Sequence, residues 1–186
     1  MLSGAIDNLS FAYKIAVLVI LNIFLIVCSQ ISIPLNPVPM TLQTLGIFLI
    51  ASIAGPKYGT FVVISYILEG IAGLPVFANY KGGIQVLLGP TGGYLLGFIF
   101  ATFLIGSLLK NQSILPNKNL FIRIFFILLL GNIVIYFFGI LQLSLFVGIE
   151  NSIKLGILPF IIGDLAKISL ASLIIEKIKT KWENIG

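Results

Sequence analysis

Long apolar runs separated by short polar or Pro- and Gly-rich breaks organise the whole chain. A helix that crosses a bilayer needs about 20 mostly apolar residues, with a range of roughly 17–25. The first run, from about Ser10 to Ser29, meets that length and holds one charge, Lys14, near its start. Three prolines in Gln30–Pro39 then forbid a continuous helix, because each lacks an N–H and its ring clashes with the preceding turn. A second, shorter run ends at Gly55-Pro56-Lys57, and a third follows at once from Tyr58 to Ala72. After the Gly-rich stretch Gly73–Gly92, a fourth run covers Gly93–Leu109, and the polar segment Lys110–Asn119 separates it from a fifth, Leu120–Val147. Gly148–Gly156 precedes a sixth run, Leu158–Ile178, and a basic tail. The pattern predicts a single transmembrane domain over residues 1–186, with helices at about 10–29, 40–54, 58–72, 93–109, 120–147 and 158–178. The fold class is all-α: an integral membrane bundle of six transmembrane helices with structured external loops.

Composition agrees and removes most chemistry. The 186 residues are 59% hydrophobic and 9% charged, against roughly 45–50% and about 25% in an ordinary soluble domain. Mean hydropathy is +1.15. A soluble globule with so few charges would expose large apolar patches that cause association. A soluble enzyme, a nucleic-acid binder and a disordered tail are therefore excluded. With no His, one Cys (Cys28) and two Met, no zinc, haem or copper site can be built from the usual ligands. Neither a metal nor a cofactor is expected. No His-assisted nucleophile and no nucleotide-binding P-loop string is present, so the chain does not read as an enzyme. Residues before the first run include Asp7 and no Lys or Arg, which reads as a retained span rather than a cleaved secretory signal.

Loop charges predict orientation. With six helices and a cytoplasmic N-terminus, Lys14, Lys57, Lys110, Lys118, Arg123, Lys177, Lys179 and Lys181 fall at cytoplasmic ends. The opposite face keeps only Lys81 and Lys154, the latter close to Glu150. This positive-inside bias places both termini in the cytoplasm. Three unusual segments, Gln30–Pro39, Gly73–Gly92 and Gly148–Gly156, then share the external face. Irregular backbone near a membrane needs protein or a cavity beside it. Ile33, Leu35, Val38, Leu74, Val76, Phe77, Val86, Leu87 and Leu88 in the first two should pack as a ligand-covering cap.

The sixth run carries the sharpest chemical signal. Asp164 and Lys167 lie three residues apart, hence on one helix face. Counted from Pro159, they sit roughly 8 and 12 Å into the helix. A charge inside a span costs about 2.5–3.5 kcal/mol on insertion scales, so such residues usually pair and face a cavity. Glu69 is a second acidic candidate near the outer interface. Gly89-Pro90-Thr91-Gly92-Gly93-Tyr94 leads into the fourth helix, where free N–H groups suit a carboxylate or phosphate. Gly93, Gly97 and Ala101 form a small-residue stripe that reads as close helix packing, and Ala12 with Ala16 forms another in the first helix.

Four strings carry a family resemblance: Pro37-Val38-Pro39-Met40-Thr41-Leu42-Gln43-Thr44-Leu45, Gly73-Leu74-Pro75-Val76-Phe77-Ala78, Gly89-Pro90-Thr91-Gly92-Gly93-Tyr94 and Gly163-Asp164-Leu165-Ala166-Lys167. In order and spacing they resemble the BioY family, the biotin-binding membrane subunits (S components) of energy-coupling factor (ECF) transporters. The resemblance covers nearly the whole chain. It implies a six-helix S-component bundle in the cell membrane that captures biotin from outside, beneath the first and third external loops. Uptake would use a transmembrane coupling subunit and two cytoplasmic ATPases, with the S component toppling in the membrane as it docks. Carried over residue by residue, the resemblance implies that Asn79, Asp164 and Lys167 contact biotin. Thr41, Gln43, Gly73 and Tyr94 would line or close the pocket. Ala12 and Ala16 resemble the AxxxA signature by which the first helix meets the coupling subunit. Met40 stands where Phe is common, and Glu69 where the family is usually apolar. Biotin's ureido group has two N–H donors and a carbonyl acceptor. Asp164 can take an N–H, and Lys167 or the Asn79 amide can serve the carbonyl. For the carboxylate the candidates are Lys81 and the amides at Gly92–Tyr94; which cation serves which end stays open. An S component for another vitamin is the alternative reading.

Overall fold

The computed structural model describes residues 6–7, 9–111 and 119–183; Lys118 lies outside them. The elements are α1 (Phe11–Gln30), β1 (Ser32–Ile33), β2 (Met40–Thr41), α2 (Gln43–Ile71), a 3-10 turn (Ala78–Tyr80), α3 (Ile84–Leu88), α4 (Gly92–Lys110), α5 (Leu120–Val147), α6 (Ile149–Gly156) and α7 (Ile161–Glu183).

The expected break at Gly55 is a hairpin inside α2. Gly55 has φ 72° and ψ −175°, a conformation only glycine takes without strain, and Pro56 follows with its φ already helical. Gln43 Nε2 and Tyr66 O–H are 2.7 Å apart. A straight helix would separate them by about 35 Å at 1.5 Å per residue, so arms 43–54 and 56–71 fold back on each other. With the arms counted separately, six long helical segments form the bundle: α1, the two arms, α4, α5 and α7. The first arm extends only about 18 Å, well short of the roughly 30 Å hydrocarbon core. The space above it holds the β1–β2 ladder and the cavity described below.

Packing follows from small residues. A Cβ on Gly97 would sit 2.9 Å from Ile135 Cα, and one on Gly106 2.5 Å from the Pro56 nitrogen. Gly93 meets the Phe138 carbonyl in the same way, and Ala101 is fully buried. The stripe thus lets α4 lie tightly on α5, as its spacing predicted. By contrast α1 buries only Asn22, Leu25, Cys28 and Ser29, one narrow face. Ala12 and Ala16 point away from the bundle and are exposed.

Two boundaries differ from expectation. Gly148–Gly156 is not a plain loop: after Gly148 (φ 78°) it forms the short helix α6, whose Ser152 and Gly156 face the bundle while Glu150 and Lys154 pair outside. Residues 157–160 are turns, so α7 begins at Ile161 rather than Leu158, bent 50° from α6. Asp164 therefore lies in the first turn of α7. Its depth falls to about 4.5 Å and that of Lys167 to about 9 Å. The cap is packed in part. Val38, Val76 and Phe77 are buried, and Val86 and Leu87 pack partly against the core, whereas Ile33, Leu35, Leu74 and Leu88 are exposed.

Candidate ligand-binding site

The site is built where α7 begins. Asp164 N–H donates to Phe160 O at 2.8 Å, starting the helix and aiming the carboxylate inward. An anion in the first turn is favoured by the unpaired N–H groups and the helix dipole. One turn on, Lys167 Nζ donates to Thr41 O (2.7 Å), Thr44 Oγ1 (3.1 Å) and Asp164 Oδ1 (2.9 Å). Thr44 Oγ1 also donates to Asp164 Oδ1 at 3.2 Å, and Tyr136 O–H to Asp164 Oδ2 at 2.6 Å. The two charged side chains are 5% and 11% exposed. An ammonium has three donors and a carboxylate about four acceptor positions. Lys167 is therefore saturated, while Asp164 keeps one acceptor position on Oδ2. The pair is neutral overall and presents an acceptor.

Beside it lies a cavity of about 800 Å³, counted to its open mouth and including solvent-open space. Val38, Phe77, Val86, Leu95, Phe98, Ile135 and Phe160 supply apolar walls; Thr41, Gln43, Thr44, Asn79, Lys81, Thr91, Tyr94, Tyr136, Asp164 and Lys167 supply the polar ones. Two segments cover it, Pro37–Pro39 and the stretch holding Phe77–Asn79, Lys81 and Val86. The third segment expected to be external, residues 148–156, contributes no lining residue, contrary to expectation. It reaches the site indirectly, through the Tyr94 hydroxyl, which donates to Gly156 O at 2.9 Å.

The second cover is pinned. Val76 O accepts from Ser29 Oγ (2.5 Å), Tyr66 O–H (3.1 Å) and Gln30 Nε2 (3.2 Å). Gln30 also donates to Phe77 O at 3.1 Å and accepts from the Tyr80 N–H at 3.1 Å. Phe77 lies over Gly70, where any Cβ would enter its ring, and meets Tyr66 edge-on at 5.5 Å. Gln142 Nε2 ties down Leu87 O and Gly89 O, each at 2.7 Å. Asn79 adopts the left-handed conformation (φ 59°, ψ 37°) that Asn tolerates better than most residues. Its Oδ1 accepts from Ser32 Oγ at 2.9 Å, leaving Nδ2 without a protein acceptor among the described residues.

Seven of the eight expected site residues line this cavity; Gly73 does not. With φ 99°, Gly73 ends α2: its N–H reaches Gly70 O at 3.1 Å and the Leu74 N–H reaches Glu69 O at 3.1 Å. That pattern is a Schellman cap. Gln43 is occupied too, donating to Tyr66 and accepting from Thr41 Oγ1 at 3.1 Å, so it braces the wall. The Gly92 and Tyr94 N–H groups bond to Gly89 O (3.2 Å) and Thr91 O (3.1 Å) and are not free for an anion. Glu69 faces α1, where Asn22 Nδ2 donates to it at 3.1 Å, and forms no part of the cavity wall. Tyr136 and Thr44, which complete the Asp164–Lys167 cluster, went unnoticed in the sequence. Their one signal was a hydroxyl inside an otherwise apolar run.

A bundle of apolar helices, several of them long enough to cross a membrane, around an apolar cavity with a neutral, hydrogen-bonded charge pair defines a small-molecule-binding membrane protein. Residues 5–184 match the BioY family, and the chain belongs to that family. It is 45% identical over 161 residues to the biotin transporter BioY of Thermotoga maritima, covering 86% of this chain and 92% of that one. A probable biotin transporter BioY of Pyrococcus horikoshii is 38% identical over 151 residues, 81% and 86% of the two chains. Among solved structures, the S component for biotin from an ECF-type ABC transporter superposes with a TM-score of 0.80 at 33% identity, over 93% of this chain and 95% of that one.

Proposed function

We propose that this chain is the substrate-binding membrane subunit of an ECF transporter and captures biotin from the outer side for uptake. It is a transport subunit, not an enzyme. The donor–acceptor count at Asp164 and Lys167 carries the reading of the site. A cluster with one free acceptor and no free donor suits an N–H, and the ureido group offers two. Its carbonyl then goes to the Asn79 amide rather than to Lys167, which has no donor left. The ligand carboxylate does not belong at the deep pair, where it would bury an uncompensated negative charge. Lys81 lines the mouth, is exposed and has no ion-pair partner among the described residues. It therefore serves the carboxylate, and the apolar walls take the aliphatic chain and thioether ring.

The chain is multi-pass in the cell membrane, surrounded by lipid, with both termini cytoplasmic as the loop cations favour. Uptake is energised by a separate coupling subunit and two ATPases, since nothing in the sequence binds a nucleotide through a P-loop. The coupling subunit docks on the outward face of α1 at Ala12 and Ala16. No nucleic acid is a partner. Calorimetric titration of detergent-purified protein with biotin, thiamine and riboflavin tests the assignment. Tight binding of biotin alone is the expected result. Preference for either other vitamin would make the chain an S component of different specificity.

A further inference from the structure

We propose that Asn132 is a positioning residue for ligand recognition: its amide fixes the direction of the Tyr136 hydroxyl and so keeps the Asp164 site an acceptor. The proposal rests on the reading of Asp164 as the acceptor for a ligand N–H, and adds the group that holds it in that state. Asn132 precedes Tyr136 by four residues on α5, so the two share one helix face. Tyr136 lines the cavity, whereas Asn132, one turn below, does not. A helical Tyr side chain leans back over the preceding turn, and the Tyr136 hydroxyl forms a side-chain hydrogen bond with Asn132. Tyr136 spends its one O–H on Asp164 Oδ2 at 2.6 Å. The bond from Asn132 therefore runs from Nδ2 to the phenol oxygen.

Two arguments separate this role from packing. First, Asn132 is 4% exposed, and its Oδ1 is buried with no donor among the described residues. The buried hydroxyls of Ser52, Thr102 and Ser172 each bond the carbonyl four residues earlier in their own helices. Asn132 Oδ1 has no such outlet. An unpaired buried acceptor destabilises a fold, so packing alone favours an apolar side chain here. Turning the amide over would set its oxygen against the Tyr136 oxygen, acceptor facing acceptor. The orphan oxygen is thus the consequence of keeping the N–H on Tyr136. Second, a hydroxyl has one proton and two lone pairs and turns to suit its partners. With the Asn132 N–H on one lone pair, the proton is directed to Asp164 Oδ2, and the cavity meets the remaining acceptor position there. Without Asn132 the hydroxyl is free to turn its proton toward the cavity, where it would meet a ligand N–H donor to donor.

The test is a double-mutant cycle on the detergent-purified full chain, read by calorimetric titration with biotin and by thermal unfolding. Asn132→Leu keeps the branching of the side chain and removes both its N–H and the orphan oxygen. It should weaken biotin by about two- to tenfold, the worth of one neutral hydrogen bond, without lowering Tm. In a Tyr136→Phe background, Asn132→Leu should cause no further loss, because the hydroxyl through which it acts is gone. Combined with Lys81→Ala, at the other end of the ligand, the two losses should multiply, as for independent sites. If Asn132→Leu does not fold, the smaller Asn132→Ala carries the same cycle. An equal loss with and without the Tyr136 hydroxyl would mean that Asn132 acts through packing, and the proposal would be overturned. Asn132→Leu that binds like wild type while Asp164→Asn is weakened would remove Asn132 and leave the reading of Asp164 standing. If Asp164→Asn also binds like wild type, that reading falls and this proposal falls with it.

Discussion

Asp164→Asn separates ligand recognition from the stability of the charge pair. The variant keeps the side-chain volume and removes the charge that neutralises Lys167. Asp164 now accepts from Lys167 and Thr44 on Oδ1 and from Tyr136 on Oδ2. A carboxamide has one oxygen and one NH2. The oxygen will stay with Lys167, because the reverse orientation sets N–H against an ammonium. The NH2 then occupies the position that a ureido N–H would approach, and donor meets donor. A hydrogen bond to a charged group is worth about 1.5–3 kcal/mol, so biotin affinity should fall about 10- to 100-fold at roughly 1.4 kcal/mol per decade. Stability should fall as well, since removing one partner of a buried pair costs about 3–5 kcal/mol. Lys167 keeps Thr41 O and Thr44 Oγ1, which argues for the lower end. The double variant Asp164→Asn/Lys167→Met removes the stranded charge: it should recover thermal stability and not affinity. Calorimetric titration and thermal unfolding of the purified variants read both quantities. Folded Asp164→Asn with unchanged affinity, or a double variant that regains affinity together with stability, would refute the reasoning.

Other substitutions probe the remaining parts. Lys81→Ala should weaken biotin by no more than about fivefold, as exposed ion pairs are worth up to about 1 kcal/mol. Titration of a neutral ester of biotin should show no such loss, and high salt should shrink the difference. Gly70→Ala drives a methyl into the Phe77 ring; overpacking of about 1–3 kcal/mol should appear as a lower Tm together with weaker binding, because Phe77 is both cover and wall. Ala12→Leu with Ala16→Leu should abolish co-purification with the coupling subunit while leaving biotin titration unchanged.

What could be read beforehand depended on local physics. The hairpin in α2 was legible because only glycine readily takes the backbone of Gly55 and Pro56 cannot continue the preceding helix. Asp164 and Lys167 were legible because two charges in an apolar run need a reason. Their bonding to Thr44, Tyr136 and the Thr41 carbonyl was not, since Thr44 and Tyr136 approach from other helices and Thr41 from β2, and no spacing along the chain reports a contact across 28 to 126 residues. Gly73 looked like a site residue by family pattern, yet its positive φ belongs to a helix end that any sequence with Gly after an apolar run can form. The start of α7 was misplaced because Pro159 reads as a first-turn proline, while the bend from α6 uses residues 157–160 as turns.

The two covers of the cavity are held unequally, and this fixes which of them must move. The stretch from Val76 to Tyr80 is tied to α1 and α2 through Ser29, Gln30 and Tyr66, and the Gly83 N–H closes on Gly70 O at 2.6 Å. Opening it would break several buried bonds together. Residues 34–39 are anchored by the two-residue ladder between Ser32–Ile33 and Met40–Thr41 and by the Leu42 N–H on Ile31 O. None of the amides of Leu35, Asn36 and Val38 enters a backbone hydrogen bond among the described residues. Segments with few buried contacts open at low free energy, so entry should proceed past 34–39. Because the deep charge pair draws most of its hydrogen bonds from the protein itself, binding should reorganise little there. Hydrogen exchange with and without biotin should therefore slow at Leu35, Asn36 and Val38 and change little at Phe77 and Tyr80. Equal protection of both covers would mean that they open as one unit, and would contradict the reading of Gln30 and Ser29 as a fixed clamp.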